Sequence, residues 1–209
     1  MIKYLAVFFI PGIYFLLLWL LPWERIPLAD SMGPFAPSII FDILIICLYF
    51  GAFKKNPFEK KFPVVRISVT ALISALLGIL CIFIATKTQM LSPFKYLEFP
   101  MIKLLFIAPF VEEALFRGVF IDMGEKTKLN RKVALVFNSF LFSFSHMPAL
   151  WFLDEVFHGF IIFQIFYTFL LGLLCTLARF MSGGIGAAIL VHFVFNLIFY
   201  ISIIKGYFD

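Results

Sequence analysis

The sequence predicts an all-α fold, a polytopic transmembrane helical bundle of about seven spans with an eighth left open, in one membrane domain over residues 1–209. Three observations point there. Hydrophobic residues make up 63% of the chain and charged residues 14%, with a mean hydropathy of +1.06, whereas soluble domains carry roughly 25% charged residues. Apolar runs repeatedly reach the ~20 residues that cross a hydrocarbon core. No ten-residue segments of alternating polarity occur, so the backbone is expected to close its hydrogen bonds within helices rather than around a barrel.

The first span is expected over residues 4–21. It follows Lys3, and only "PWERIP" comes after it, with no small-x-small cleavage pattern, so it reads as a retained helix rather than a signal peptide. The break "PWERIPLADSMGPFAP" leads to a second span at 38–53, and "KKNPFEKKFP" to a third at 66–86. "TKTQMLSPFKYLEFP" precedes a fourth at 101–122, and "DMGEKTKLNRK" a fifth at 132–150. "LDEVFHG" introduces a sixth at 158–179, and "RFMSGG" a seventh at 184–204. Each break carries charge together with Pro or Gly, the residues that end apolar helices.

The net charge of +5 is distributed as a membrane protein distributes it. One side receives Lys3, Lys54, Lys55, Lys60, Lys61, Arg66, Lys126, Lys128, Arg131, Lys132 and Arg179; the other receives Arg25, Lys87, Lys95, Lys103 and Lys205. That asymmetry predicts a cytoplasmic N-terminus and an external C-terminus, and no nucleic-acid partner. Cys47, Cys81 and Cys175 stand alone in apolar runs without CxxC or metal spacing, and read as packing residues.

The polar residues inside the spans need a reason, since each charge in lipid costs a few kcal/mol or more. In "VEEALFRG", Glu113 and Arg117 are four apart, share a helix face and have the acid N-terminal to the base, the favourable order. Glu112 lies about 100° around the helix and is left without that partner. "FSFSHMP" places Phe142 and His146 four apart in the fifth span, and "VHFVFN" places His192 and Asn196 four apart in the seventh. Two imidazoles, a carboxamide and a spare carboxylate make a hydrolytic set if these helices converge: a base pair for water and donors for an oxyanion. Any one of these residues alone reads more simply as interhelical glue, and Phe142, among 31 Phe, as core. Asp42 and Gln164 are assigned to packing or partial water access, and Asp154, Glu155 and His158 to a loop. "SGGIGAA" supplies small residues for close helix approach near His192. HExxH, GxSxG, a GD-type aspartyl pair and a Gly-rich phosphate loop are all missing from the sequence, which leaves a Glu-centred water mechanism among hydrolases.

"EEALFRG", "FSFSH" and "HFVFN" resemble, in order, the EExxxR, FxxxH and HxxxN motifs of the CPBP family, the CAAX-protease and bacteriocin-processing membrane proteins related to the type II CAAX prenyl endopeptidase. Pro109 before the acids, Gly118 after the Arg and the Gly-rich step before the last span fit the same pattern. The resemblance covers about residues 101–200, a motif-bearing core in the C-terminal half, with residues 1–100 as accessory helices. It implies a glutamate-dependent intramembrane endopeptidase. Glu112 and His146 would activate water, His192 and Asn196 would hold the oxyanion, Glu113 and Arg117 would be a supporting ion pair, and Phe142 would wall the site. It also implies a metal-free reaction, with zinc on two His and a Glu as the disfavoured alternative.

The substrate expected from the resemblance is a membrane-anchored protein or peptide in the lipid bilayer, cut near its C-terminus. Candidates are a sorting signal, a CAAX-like tail or a bacteriocin-type precursor. The lack of extra domains points to a prokaryotic plasma membrane, and the position of His146 near the end of an outward-running span to processing on the outer side. The alternative is a non-catalytic membrane scaffold or bacteriocin-immunity protein of the same fold. A proton-coupled transporter would be expected to show paired broken helices and internal symmetry in the sequence, and neither is found there.

Overall fold

Several helix boundaries fall at a proline, a capping polar side chain or a glycine. The computed structural model describes residues 2–21, 23, 36–53, 56–58, 61–95 and 103–207. Its helices are α1 (Ile2–Leu20), α2 (Ala36–Phe53), α3 (Val64–Lys87), α4 (103–126), α5 (Arg131–Phe144), the short α6 (Ala149–Phe152), α7 (His158–Ser182) and α8 (Gly186–Ile204). α3 starts directly after Pro63 and ends where the Thr88 hydroxyl donates to the Ile84 carbonyl at 2.7 Å. The Asn130 side chain accepts from the Lys132 N–H at 2.9 Å and caps α5. α7 stops at Gly183, whose φ of +81° is the left-handed turn that glycine makes without strain.

Five helical segments are long and apolar enough to cross a membrane: Ala36–Phe53, Val64–Lys87, Arg131–Phe152, Glu155–Ser182 and Gly186–Ile204. The two further expected spans correspond to α1 and to α4, which carries the charged motif. Large apolar side chains such as Leu72, Leu76, Leu80 and Phe83 of α3 and Phe166 of α7 point outward, as lipid-facing surfaces require. Residues 24–35 and 96–100 of the expected breaks, residues 101–102 of the fourth span, and Arg25, Lys54, Lys55 and Lys60 of the charge count lie outside the described residues.

α5 lies along α7, and α8 packs between α3 and α7. α4 crosses this group and touches α2, α5, α7 and α8, while α1 leans on its C-terminal part. Gly172 of α7 lets α5 approach closely: a Cβ there would lie 3.0 Å from the Ser139 Cα. Two bonds fix the segments flanking α8, Ile185 N–H to the Pro57 carbonyl at 3.0 Å before it and the Thr86 hydroxyl to the Tyr207 carbonyl at 3.0 Å after it.

Two elements differ from the expected regular spans, and both bear on the site. α4 is only partly α-helical: Lys103–Ile107 and Ala114–Phe120 are π-helical, flanking α-helical Ala108–Glu113 and preceding Ile121–Lys126. Such widened turns recur at functional sites. The side chains of neighbouring helices brace this one: Asn138 donates to the Phe116 carbonyl at 2.8 Å and Arg179 Nε to the Arg117 carbonyl at 3.2 Å. α5 stops at Phe144 rather than running to 150, because Pro148 lacks an N–H and disfavours helix at the residue before it.

Candidate active site

The ion pair expected from "EEALFRG" forms in the centre of the protein. Arg117 Nη1 lies 3.0 Å from Glu113 Oε1, with both side chains 0% exposed. Two further contacts hold the guanidinium: Nη2 donates to the Gly172 carbonyl at 3.1 Å, and the group sits 4.5 Å from the centre of the Phe142 ring. The pair closes not along a regular α-helix but across the junction from Glu113 into the π-helical turn.

His192 joins α8 to this pair. Its Nδ1 is 2.8 Å from Glu113 Oε1, and its Nε2 is 3.9 Å from Glu112 Oε2. Glu113 Oε1 already accepts from Arg117 Nη1 at 3.0 Å, so in the contact with His192 the ring Nδ1 is the donor. Two carboxylates, one guanidinium and one imidazole are thus gathered, each acid within 4 Å of a nitrogen of Arg117 or His192. This local pairing is how charge is accommodated in lipid. Glu112, by contrast, keeps 28% of its side chain exposed and faces a cavity.

His146 reaches the same cavity from the turn just past the end of α5, not from a regular helix. Its Nδ1 is 3.0 Å from the Phe142 carbonyl. A carbonyl only accepts, so Nδ1 is the protonated nitrogen and Nε2 carries the lone pair. The Ser145 hydroxyl donates to the same carbonyl at 2.7 Å and lies 3.4 Å from His146 Nδ1.

Phe142, which the composition alone assigns to core, is fully buried and also central. Its ring meets His146 edge-on at 5.3 Å and His192 at 5.6 Å, and carries Arg117 on its face. It therefore spaces the two imidazoles and separates the guanidinium from the cavity.

Glu112, His146, His192, Asn196 and Phe142 all line one cavity of about 410 Å³. Its wall is mainly aromatic and aliphatic, and its residues come from the end of α1, the start of α2, Pro93 and Phe94, the first part of α4, the end of α5 and the turn after it, the first half of α7, and His192 to Phe199 of α8. Asp42, Tyr14, Gln164, Thr168 and Ser145 line it too, and the sequence did not assign them to the site. For Asp42 and Gln164 the signal was present as lone polar residues in apolar spans, but nothing in the sequence gives the rotation of their helices. His158, at the start of α7, bonds the Leu153 carbonyl at 3.2 Å and is not among the lining residues. Arg179, counted as a loop charge, is buried and bridges to Glu125 at 3.3 Å.

Among the described residues one group of three side chains has the spacing of metal ligands: Glu113, Cys175 and His192, within 4.8 Å of one another. It does not fit a cation. Its acid is already bound by Arg117 and His192, and the guanidinium beside it would repel a metal.

The family model described as type II CAAX prenyl endopeptidase Rce1-like matches residues 94–198, half of the chain, and the chain belongs to this family. The matched segment holds all three motifs and leaves α1, α2 and α3 outside it. With five membrane-competent helices, this member is an integral membrane protein. No curated protein and no solved structure matches the chain.

Proposed function

We propose that this Rce1-like protein is a metal-free, glutamate-dependent intramembrane endopeptidase that cuts a membrane-associated peptide. The observation that carries the reading is that Glu112, His146, His192 and Asn196 face one cavity, while the neighbouring acid is consumed by Arg117. Water in the cavity hydrogen-bonds to His146 Nε2 and gives a proton to the Glu112 carboxylate as its oxygen attacks the scissile carbonyl. His192, its Nδ1–H donated to Glu113, presents an Nε2–H to the developing oxyanion, and the Asn196 carboxamide supplies a second donor. The tetrahedral intermediate then collapses. The C–N bond breaks, and the proton held by Glu112 passes to the leaving nitrogen, returning the carboxylate to its starting state.

The motif-bearing segment, about residues 101–200, supplies this chemistry and residues 1–100 complete the wall. The side toward which the cavity residues cluster is the one the positive-inside count assigns to the exterior, which favours processing in the outer leaflet of a prokaryotic plasma membrane. The test compares purified wild type with Glu112→Gln on membrane peptides and candidate tails, with and without a chelator. Cleavage that survives chelation and is lost in the variant supports the mechanism. Loss on chelation returns zinc to consideration, and equal processing of a cellular substrate by both proteins puts the scaffold alternative first.

A further inference from the structure

The cavity holds a second carboxylate that the proposed chemistry does not use. Asp42 of α2 lines it together with Glu112. Tyr14 of α1 lines the same cavity, and among the described residues Oδ1 of Asp42 has no hydrogen-bond partner and is shielded from bulk water. An incompletely satisfied carboxylate inside a membrane domain is expensive, and such residues mark what the site binds.

The charge of the wall is one-sided. Glu112 is faced by His192 at 3.9 Å, and Glu113 is cancelled by Arg117 behind the Phe142 ring. Asp42 has neither, and no Lys or Arg is found among the described residues of the lining. Around Asp42 the surfaces are aromatic. Tyr14 packs edge-on to Phe116 at 6.4 Å, and Trp23 and Phe116 join it in the wall. An acid framed by aromatic faces is a recurrent way of binding an organic cation.

From this juxtaposition we infer that Asp42 is a specificity residue, and that the cavity selects peptides with a Lys or Arg side chain close to the scissile bond, its cationic head seated between Asp42 and the aromatic wall. The inference rests on the endopeptidase reading and adds the substrate class to it. α1 and α2, which build this subsite, lie outside the family match, so the preference belongs to this chain's own accessory helices rather than to the shared catalytic core.

The test uses the full-length protein in lipid nanodiscs and three peptides that differ only in carrying Lys, norleucine or Glu near the cut, the cut being mapped by mass spectrometry. Wild type is expected to favour Lys over norleucine by about tenfold in kcat/KM, mostly through KM, as for a charge pair in a partly dehydrated site. Asp42→Asn, which keeps the side-chain shape, is expected to bring that ratio close to one; if it fails to elute as a single species, Asp42→Ser reads the same ratio. Equal rates across the three peptides, or a Lys preference that persists without Asp42, overturns the inference and leaves the endopeptidase reading standing. A second arm measures equilibrium binding of the Lys and norleucine peptides to Glu112→Gln protein with and without Asp42→Asn. If no peptide is cleaved, the endopeptidase reading is what has failed. The binding arm then decides: a Lys advantage that depends on Asp42 upholds the cation subsite, and no advantage removes it.

Discussion

Replacing Glu113 by Gln should cost this protein more stability than any other single-atom exchange in the site. The substitution removes one charge and almost no volume, and leaves Arg117 fully buried without its anion. For unit charges about 4 Å apart in a protein of effective dielectric ~20, the lost attraction is about 4 kcal/mol. The guanidinium keeps its bond to Gly172 and its place over Phe142, so part of its stabilisation survives. A net loss of about 3–5 kcal/mol is expected, the usual cost of breaking one side of a buried pair. At roughly 2–4 °C per kcal/mol for a chain of this size, Tm in detergent should fall by about 10 °C. The readout is thermal unfolding followed through labelling of Cys175, which is fully buried beside Glu113 in the folded state. The double variant Glu113→Gln, Arg117→Met removes the stranded cation and should recover more than half of the loss. If Glu113→Gln melts within 2 °C of wild type, or the double variant is worse than the sum of the singles, the buried ion-pair account is wrong.

Glu112→Gln should behave in the opposite way: cleavage falls by about 10²–10⁴-fold, the usual cost of losing a general base, with Tm unchanged, because this acid faces the cavity rather than the core; rate and melting measured on one preparation separate the two acids. Asn196→Ala should lower kcat by about 10²–10³-fold with little change in KM, as for loss of an oxyanion donor, and steady-state kinetics on a cleaved peptide checks it. Gly172→Ala should destabilise by about 1–3 kcal/mol through overpacking, since its new Cβ would meet the Ser139 backbone at 3.0 Å. Gly124→Ala, where the nearest atoms are Leu129 side-chain carbons at 3.6 and 3.8 Å, serves as the neutral control in the same melting assay.

The sequence by itself determined the membrane class and the helical fold, because hydropathy is a sum over neighbours along the chain and needs no tertiary information. It also determined the Glu113–Arg117 pair, since a four-residue spacing puts two side chains within reach whatever surrounds them. The alignment of His192 with Asn196 on one face of α8 is local in the same way. What depended on other helices was out of its reach. Phe142 is one of 31 phenylalanines, and only the packing of α5 against α4 and α8 puts its ring between two imidazoles and a guanidinium. The π-helical turn of α4 is held by Asn138 and Arg179, side chains from helices 22 and 62 residues further along the chain. Asp42 looked like a stray polar residue in a lipid-facing span, and it becomes part of the cavity only because α1 and α2 pack across α4 and turn it inward. Local spacing fixes which residues share a face; which faces meet is decided by how the helices fill space against one another.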